Sequence, residues 1–140
     1  MKLYVAGPMS GIPNLNHPEF DRMTDLLRAM GHEVFSPAEK DREWGQDEQA
    51  AREGRNTLNM TDVLRWDLQK ILECDGIVLL PNWRKSEGAR LEVIVAISTG
   101  RKVFSWWGGL TEVPLQLIED LPGIPNYVWK QHPLVEGDVC

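Results

Sequence analysis

The chain holds only two cysteines in 140 residues, Cys74 and Cys140. No C-x-x-C pair and no Cys/His spacing accompanies them, which excludes a zinc site built on thiolates. Cys74 ends a helical pattern just before a strand and is expected to be packed. Cys140 is the last residue and is expected to be mobile. Three histidines are too few and too scattered for a metal-ligand set; His17, just before Pro18, reads as a loop residue. No apolar run approaches the length needed to span a membrane. The first residues enter a strand pattern without the features of a signal peptide. Together these absences make a reducing cytoplasm the expected compartment. Basic charge is also in deficit. Fifteen Lys and Arg stand against 21 Asp and Glu, a net charge of −6, which argues against a nucleic-acid polymer as the main partner.

What is present suits one soluble domain over 1–140. Apolar content is 42% and charged content 26%, ordinary for a globular chain long enough to bury a sizeable core. There is no internal repeat and no low-complexity tract. Leu3–Ala6 reads as a first strand, ended by Gly7-Pro8. Met9–His17 is a loop rich in Gly, Pro and Asn. Phe20, Met23, Leu26, Leu27 and Met30 recur at helical spacing, with Pro18 in the first turn and Gly31 as the stop. His32–Phe35 is a second strand. Residues 38–58 are charged, with Trp44 the one large apolar side chain. They predict a mobile lid or loop, with a weak helix at Gln46–Glu53. A helix runs from a cap at Asn59 or Thr61 to Cys74, and Ile77–Leu80 is a third strand. Glu87–Thr99 is a helix and Lys102–Ser105 a fourth strand. Trp106–Gly109 is a loop, Glu112–Leu121 a helix, and Tyr127–Trp129 a fifth strand. Alternating strands and helices predict a three-layer α/β sandwich around a five-stranded parallel sheet. In so short a chain the flavodoxin-like order 2-1-3-4-5 is expected. Ligands in such sheets sit beyond the carboxyl ends of strands one and three, where strand order reverses.

The most informative stretch is Ser86-Glu87-Gly88-Ala89-Arg90-Leu91-Glu92. A strand, a short loop and a helix start leave free N–H groups suited to an anion. Gly88 admits a ligand close to the backbone. Glu92, four residues on, shares its helix face. Arg84, Lys85 and Arg90 make the loop locally basic. Asp67 is the second notable acid, set within the apolar stripe Val63, Leu64, Leu68, Ile71 and Leu72. Each acid has two readings. Asp67 is either a stripe-edge charge paired with Arg65 or Arg22, or a group with a chemical use. Glu92 either pairs with Arg90 or Lys102, or is catalytic. Tyr4 alone reads as strand packing.

Leu3-Tyr4-Val5-Ala6-Gly7-Pro8-Met9-Ser10-Gly11, Trp66-Asp67-Leu68 and Ser86-x-Gly88-x-x-x-Glu92 occur in that order. The ordered set, spanning positions 3 to about 105, resembles the nucleoside 2-deoxyribosyltransferase superfamily, and in particular its small bacterial and phage members. The resemblance implies a flavodoxin-like fold and cleavage of the bond between a nucleobase and a (deoxy)ribose. It implies Glu92 as the nucleophile at the anomeric carbon, as in glycosidases. It implies Tyr4 as the phenol that orients Glu92, and Asp67 as the acid that meets the departing base. Gly7 would admit the ligand to the backbone. Ser86 stands where base-exchanging members carry an acid, which points to the branch that hydrolyses nucleoside 5′-monophosphates. Ser86 with Gly88 and Ala89 would hold the phosphate, with Ser10 and Arg90 as further contacts. No cofactor and no metal is expected. A homodimer is, with a residue near the C-terminus of the neighbouring subunit completing the site; Asn126 is the candidate.

The leading expectation is hydrolysis of a (deoxy)nucleoside 5′-monophosphate. The alternatives are base exchange between nucleosides and a non-catalytic nucleotide-binding module on the same fold.

Overall fold

The computed structural model describes residues 1–131; the expectation for Cys140 lies outside them. Strand β1 (Lys2–Ala6) leads through a loop into helix α1 (His17–Ala29) and strand β2 (Glu33–Phe35). Two short helices follow, α2 (Pro37–Glu43) and α3 (Glu48–Arg52), then the long α4 (Met60–Glu73) and strand β3 (Gly76–Leu79). Helix α5 (Glu87–Ser98) connects to β4 (Lys102–Trp106), which turns into β5 (Leu110–Glu112). A 3-10 turn at Leu115–Ile118 and helix α6 (Asn126–Gln131) complete the described chain. Among the described residues no helix is long and apolar enough to cross a membrane.

The sheet order is β2-β1-β3-β4-β5, the flavodoxin-like order. β1 pairs with β2 and β3, and β3 with β4, all in parallel. Leu3, Val5, Val78, Leu80 and Phe104 pack on one face against Phe20, Met23 and Leu27 of α1. Tyr4, Ala6, Ile77, Leu79 and Val103 pack on the other against Ile71 of α4 and Val93, Ala96 and Ile97 of α5. This is the three-layer sandwich that strand–helix alternation predicts. Cys74 is buried, as its position implies.

The last strand differs from expectation. β5 lies at Leu110–Glu112 and runs antiparallel to β4. The turn between them is tight: Trp107 N donates to Gly109 O at 3.0 Å, and Gly108 takes a positive φ of 67°. So short a connection can only reverse the chain, because a parallel return needs a crossover. Tyr127–Trp129, expected as a strand, lies within α6, where Val128 is buried against the α5 side of the sheet. The helix expected at Glu112–Leu121 reduces to the 3-10 turn after Pro114, since proline offers no amide to continue a ladder.

The segment 38–58 is not an open loop. It holds α2 and α3 and is tied down at several points. Arg28 makes a two-pronged pair with Glu39 at 2.7 and 2.8 Å. Gly11 N donates to Gly54 O at 2.8 Å, so the segment closes on the loop that follows β1.

Candidate active site

Three elements bring Tyr4, Asp67 and Glu92 together. On α4, Val63, Asp67 and Ile71 recur every four residues and form the buried stripe. On α5, Glu92 lies among buried Ala89, Val93 and Ala96. Both helices lie on the face of β1 that carries Tyr4. Tyr4 is fully buried, and Asp67 and Glu92 keep only 9% and 6% of their surface. No ion pair reaches either acid among the described residues. The candidate partners are engaged elsewhere: Arg22 with Glu19, Arg65 with Asp62, and Arg90 with the Arg84 carbonyl.

Burial without partners is costly here. Six buried side-chain polar atoms lack a hydrogen-bond partner among the described residues, and three are Tyr4 Oη, Asp67 Oδ1 and Glu92 Oε2. An orphaned buried polar group costs about 1–3 kcal/mol, so a cluster of three marks a place shaped for something other than stability. Tyr4 Oη is near enough to be perturbed by both carboxylates, yet closes a normal hydrogen bond with neither. Burial, then the charges of Glu92 and Asp67, push the Tyr4 phenol well above its usual range. Burial, then the charge of Asp67, raise Glu92 well above the carboxylate range. Burial, then the charge of Asp41, bring Asp67 to about 7, against a lowering influence from Tyr4. Two acids so placed titrate as a pair, the charge of Asp67 making Glu92 harder to ionise. A carboxylate beside a carboxylic acid can attack an electrophilic carbon while its neighbour protonates a leaving group.

In the loop that opens α5, several of the groups expected to hold an anion are engaged within the chain. Ser86 caps α5, its Oγ accepting from Ala89 N at 3.1 Å. The Ala89 amide is therefore occupied in this state, while the Ser86 hydroxyl proton is still available to donate. Gly88 is exposed, and a Cβ built on it would meet only Ser86 Oγ at 3.8 Å. Arg90 Nη1 donates to the Arg84 carbonyl at 2.6 Å and so braces the loop. Ser10 is exposed just beyond β1. Gly7 is buried, and its missing side chain makes room for Leu80, whose Cβ would lie 2.7 Å from an added Cβ. Asn126 is exposed at the start of α6. A cavity of about 490 Å³ lies over the carboxyl ends of β3 and β4, walled by Leu80, Trp83, Ser105, Trp106 and Trp107. Neither Asp67, Glu92 nor Tyr4 lines it.

The sequence reading missed a second buried polar pair. His17 is not a loop residue: it opens α1, is 8% exposed, and its Nε2 lies 3.3 Å from Oδ2 of Asp41, itself 2% exposed. The available signal was in α2, where Ala38 and Asp41 are three residues apart and so share a face. The charge of the surrounding segment masked it.

Similar folds recur among solved structures. A 2-deoxyribosyltransferase from the psychrotolerant bacterium Bacillus psychrosaccharolyticus superposes with a TM-score of 0.57 at 20% identity, covering 98% of this chain and 94% of that one. The Clostridium botulinum CMP N-glycosidase BcmB gives a TM-score of 0.49 at 15% identity, over 96% and 100% of the two chains. A search of curated proteins finds no match. A family-wide sequence profile matches residues 1–105, most of the chain, and by that match the protein belongs to the family described as a domain of unknown function, DUF4406.

Proposed function

We propose that this protein cleaves the N-glycosidic bond of a (deoxy)nucleoside 5′-monophosphate and releases free base and sugar phosphate. The observation that carries the reading is the cluster of Tyr4, Asp67 and Glu92, buried side by side with an orphaned polar atom on each. The Glu92 carboxylate attacks C1′ as the C1′–N bond breaks, and Asp67 gives its proton to the departing base. Water then attacks C1′ of the glycosyl ester. One water proton returns to Asp67, Glu92 leaves as carboxylate, and the hydroxyl stays on the sugar. Tyr4 holds Glu92 in line. Closure of the site shields the oxocarbenium-like transition state from bulk water. With both acids nearly sealed, substrate reaches them only through movement of residues packed over them.

The N-terminus of α5, with Ser86 and Gly88, supports the monophosphate as the ligand. Arg90 keeps that loop in shape, and Ser10 and Gly7 border the same carboxyl edge of the sheet. The deoxyribosyltransferase named above supports glycosyl chemistry on this fold as a class. A cytoplasmic homodimer that needs no cofactor is part of the proposal.

The test is a screen of nucleosides and their 5′-monophosphates for free base and sugar phosphate by mass spectrometry. Wild type is expected to release base from at least one monophosphate, and Glu92→Ala to lose several orders of magnitude in rate. An Ala variant with wild-type rates rejects the nucleophile. Tight nucleotide binding without product over long incubation favours a binding module instead.

A further inference from the structure

The cavity of about 490 Å³ over the carboxyl ends of β3 and β4 lies at the end of the sheet where folds of this order take their ligands. None of Tyr4, Asp67 and Glu92 lines it, so the chemistry proposed above does not use it. Its volume suits a small-molecule ligand. Three of the six tryptophans of the chain stand in its wall, Trp83, Trp106 and Trp107. The two helical layers supply one indole each. Trp83, in the 3-10 turn Trp83–Lys85, packs against the cluster on the α4 and α5 face of the sheet. Trp106, the last residue of β4, packs against the cluster on the α1 face. An indole from each face of the sheet therefore borders one cavity at the sheet's edge. Trp107 is placed differently. It is 80% exposed, yet its backbone is fixed in the turn from β4 to β5, where its N–H donates to Gly109 O at 3.0 Å. Leu117, also in the wall, is 65% exposed. Large apolar side chains held in water beside an apolar cavity mark a surface that a ligand covers.

Aromatic walls suit two kinds of ligand, a cation held over the ring faces or a flat ring stacked on them. The charges in the wall decide between the two. Arg22 and Arg84 line the cavity, and no Asp or Glu does. Their partners Glu19 and Asp120 stand outside the wall. The Arg84 guanidinium already lies 4.8 Å from the centre of the Trp83 ring, so the cation position over that indole is filled from within the chain. A ligand cation would meet two like charges and no counter-ion in the wall. A planar ring meets no such penalty. Ser105 and Asn82 add a hydroxyl and a carboxamide to the wall, groups that both donate and accept. A ring with nitrogens and exocyclic polar groups has a use for them; a plain hydrocarbon has none.

We propose that this cavity is a binding site for a planar heteroaromatic ring of nucleobase size, separate from the acid cluster. The site stands on its own walls and does not rest on the glycosidase reading.

The test uses the full chain with adenine as the probe, since a free base has no glycosidic bond to lose. Indole N–H signals, assigned by single Trp to Phe substitutions, are followed by NMR as adenine is added. The signals of Trp83, Trp106 and Trp107 are expected to shift saturably and together. Those of Trp44 and Trp66, which line a different cavity, are expected to stay in place. Trp106→Ala is expected to weaken adenine binding about tenfold, read from the Trp107 signal, as truncation of a stacking platform does. Should that variant fail to fold, Trp107→Ala answers in its place, because a side chain 80% exposed is not part of the core. It is expected to weaken adenine about fivefold, read from the Trp106 signal. Tetramethylammonium is expected to move none of the three. Shifts that do not saturate, equal movement of Trp44 and Trp66, wild-type affinity in a folded alanine variant, or binding of the cation overturns the proposal. So do indole shifts that follow protein concentration without adenine, which would place a second copy of the chain over the cavity. Base release measured alongside separates this claim from the earlier one. A protein that cleaves a monophosphate while adenine leaves the three indoles unmoved refutes the cavity site alone. One that binds adenine here and cleaves nothing refutes the glycosidase reading alone.

Discussion

Asp67 and Glu92 come from adjacent helices and meet beside Tyr4, and ionising one raises the cost of ionising the other. This has a consequence for stability that needs no substrate. An acid whose folded value exceeds its unfolded value keeps its proton in the native state after the unfolded chain has lost it. The native state then binds more protons, so stability falls as pH rises through that interval. For Asp67 the interval runs from about 3.9 to about 7; for Glu92 it begins near about 4.3 and extends well above. Asp67→Asn and Glu92→Gln are therefore expected to melt above wild type at neutral pH, with the gap narrowing toward pH 4. Thermal unfolding from pH 4 to 8 measures this. A gap that widens toward acid contradicts the assignment.

Tyr4 offers a sharper separation of packing from chemistry. Its ring is fully buried in the sheet–helix core while its hydroxyl has no hydrogen-bond partner. Tyr4→Phe keeps the ring and removes an unsatisfied donor, so its unfolding free energy is expected to stay within about 1 kcal/mol of wild type or rise. Base release is expected to fall by about 10- to 100-fold, because no phenol is then at hand to orient Glu92 once substrate is bound. Denaturant unfolding and kcat on the same preparation give both numbers. A large loss of stability would assign the hydroxyl a structural role.

Much of this was legible in the sequence, and the misses have physical causes. Leu3–Ala6 and Ile77–Leu80 are continuous apolar runs, as strands buried on both faces must be, and they fix the centre of the sheet. Asp67 and Glu92 stood out because each interrupts an apolar helix stripe. β5 was hidden because Leu110-Thr111-Glu112 is three residues long and carries no alternation that can be read. Tyr127-Val128-Trp129 misled in the opposite sense: strand-favouring side chains sit in α6 because Val128 has a place in the core there, and packing overrides propensity. Asp41 and His17 were missed since their pairing is between elements, and the one spacing signal, Ala38 and Asp41 on a shared face of α2, is masked by the charge around it.

Gly54 tests whether segment 38–58 is anchored. It has φ +75°, and a Cβ there would approach Gly11 C at 2.9 Å and Ile12 N and O at 3.0 Å. All three are backbone atoms that cannot swing aside. Gly54→Ala is expected to lose about 1–3 kcal/mol of stability, read from denaturant midpoints. Gly45, with a positive φ of 86° but nothing within 4 Å of its added Cβ, isolates the cost of backbone strain alone. Gly54→Ala should be the worse of the two by the amount of the clash.

Gly88 is the opposite case, and it separates ligand binding from folding. It sits in the first turn of α5, and an added methyl would meet only Ser86 Oγ at 3.8 Å. Alanine is the better helix former by up to about 1 kcal/mol, so Gly88→Ala is expected to be neutral or stabilising toward denaturant. A phosphate drawn to the first-turn N–H groups would need the space that the methyl fills. The variant is therefore expected to bind nucleoside 5′-monophosphates at least tenfold more weakly by calorimetry. The corresponding nucleosides, which carry no phosphate, should be affected little. Equal loss for both ligand classes would move the phosphate away from this turn. No loss for either would leave Gly88 as a plain helix residue and Ser86 as a plain cap.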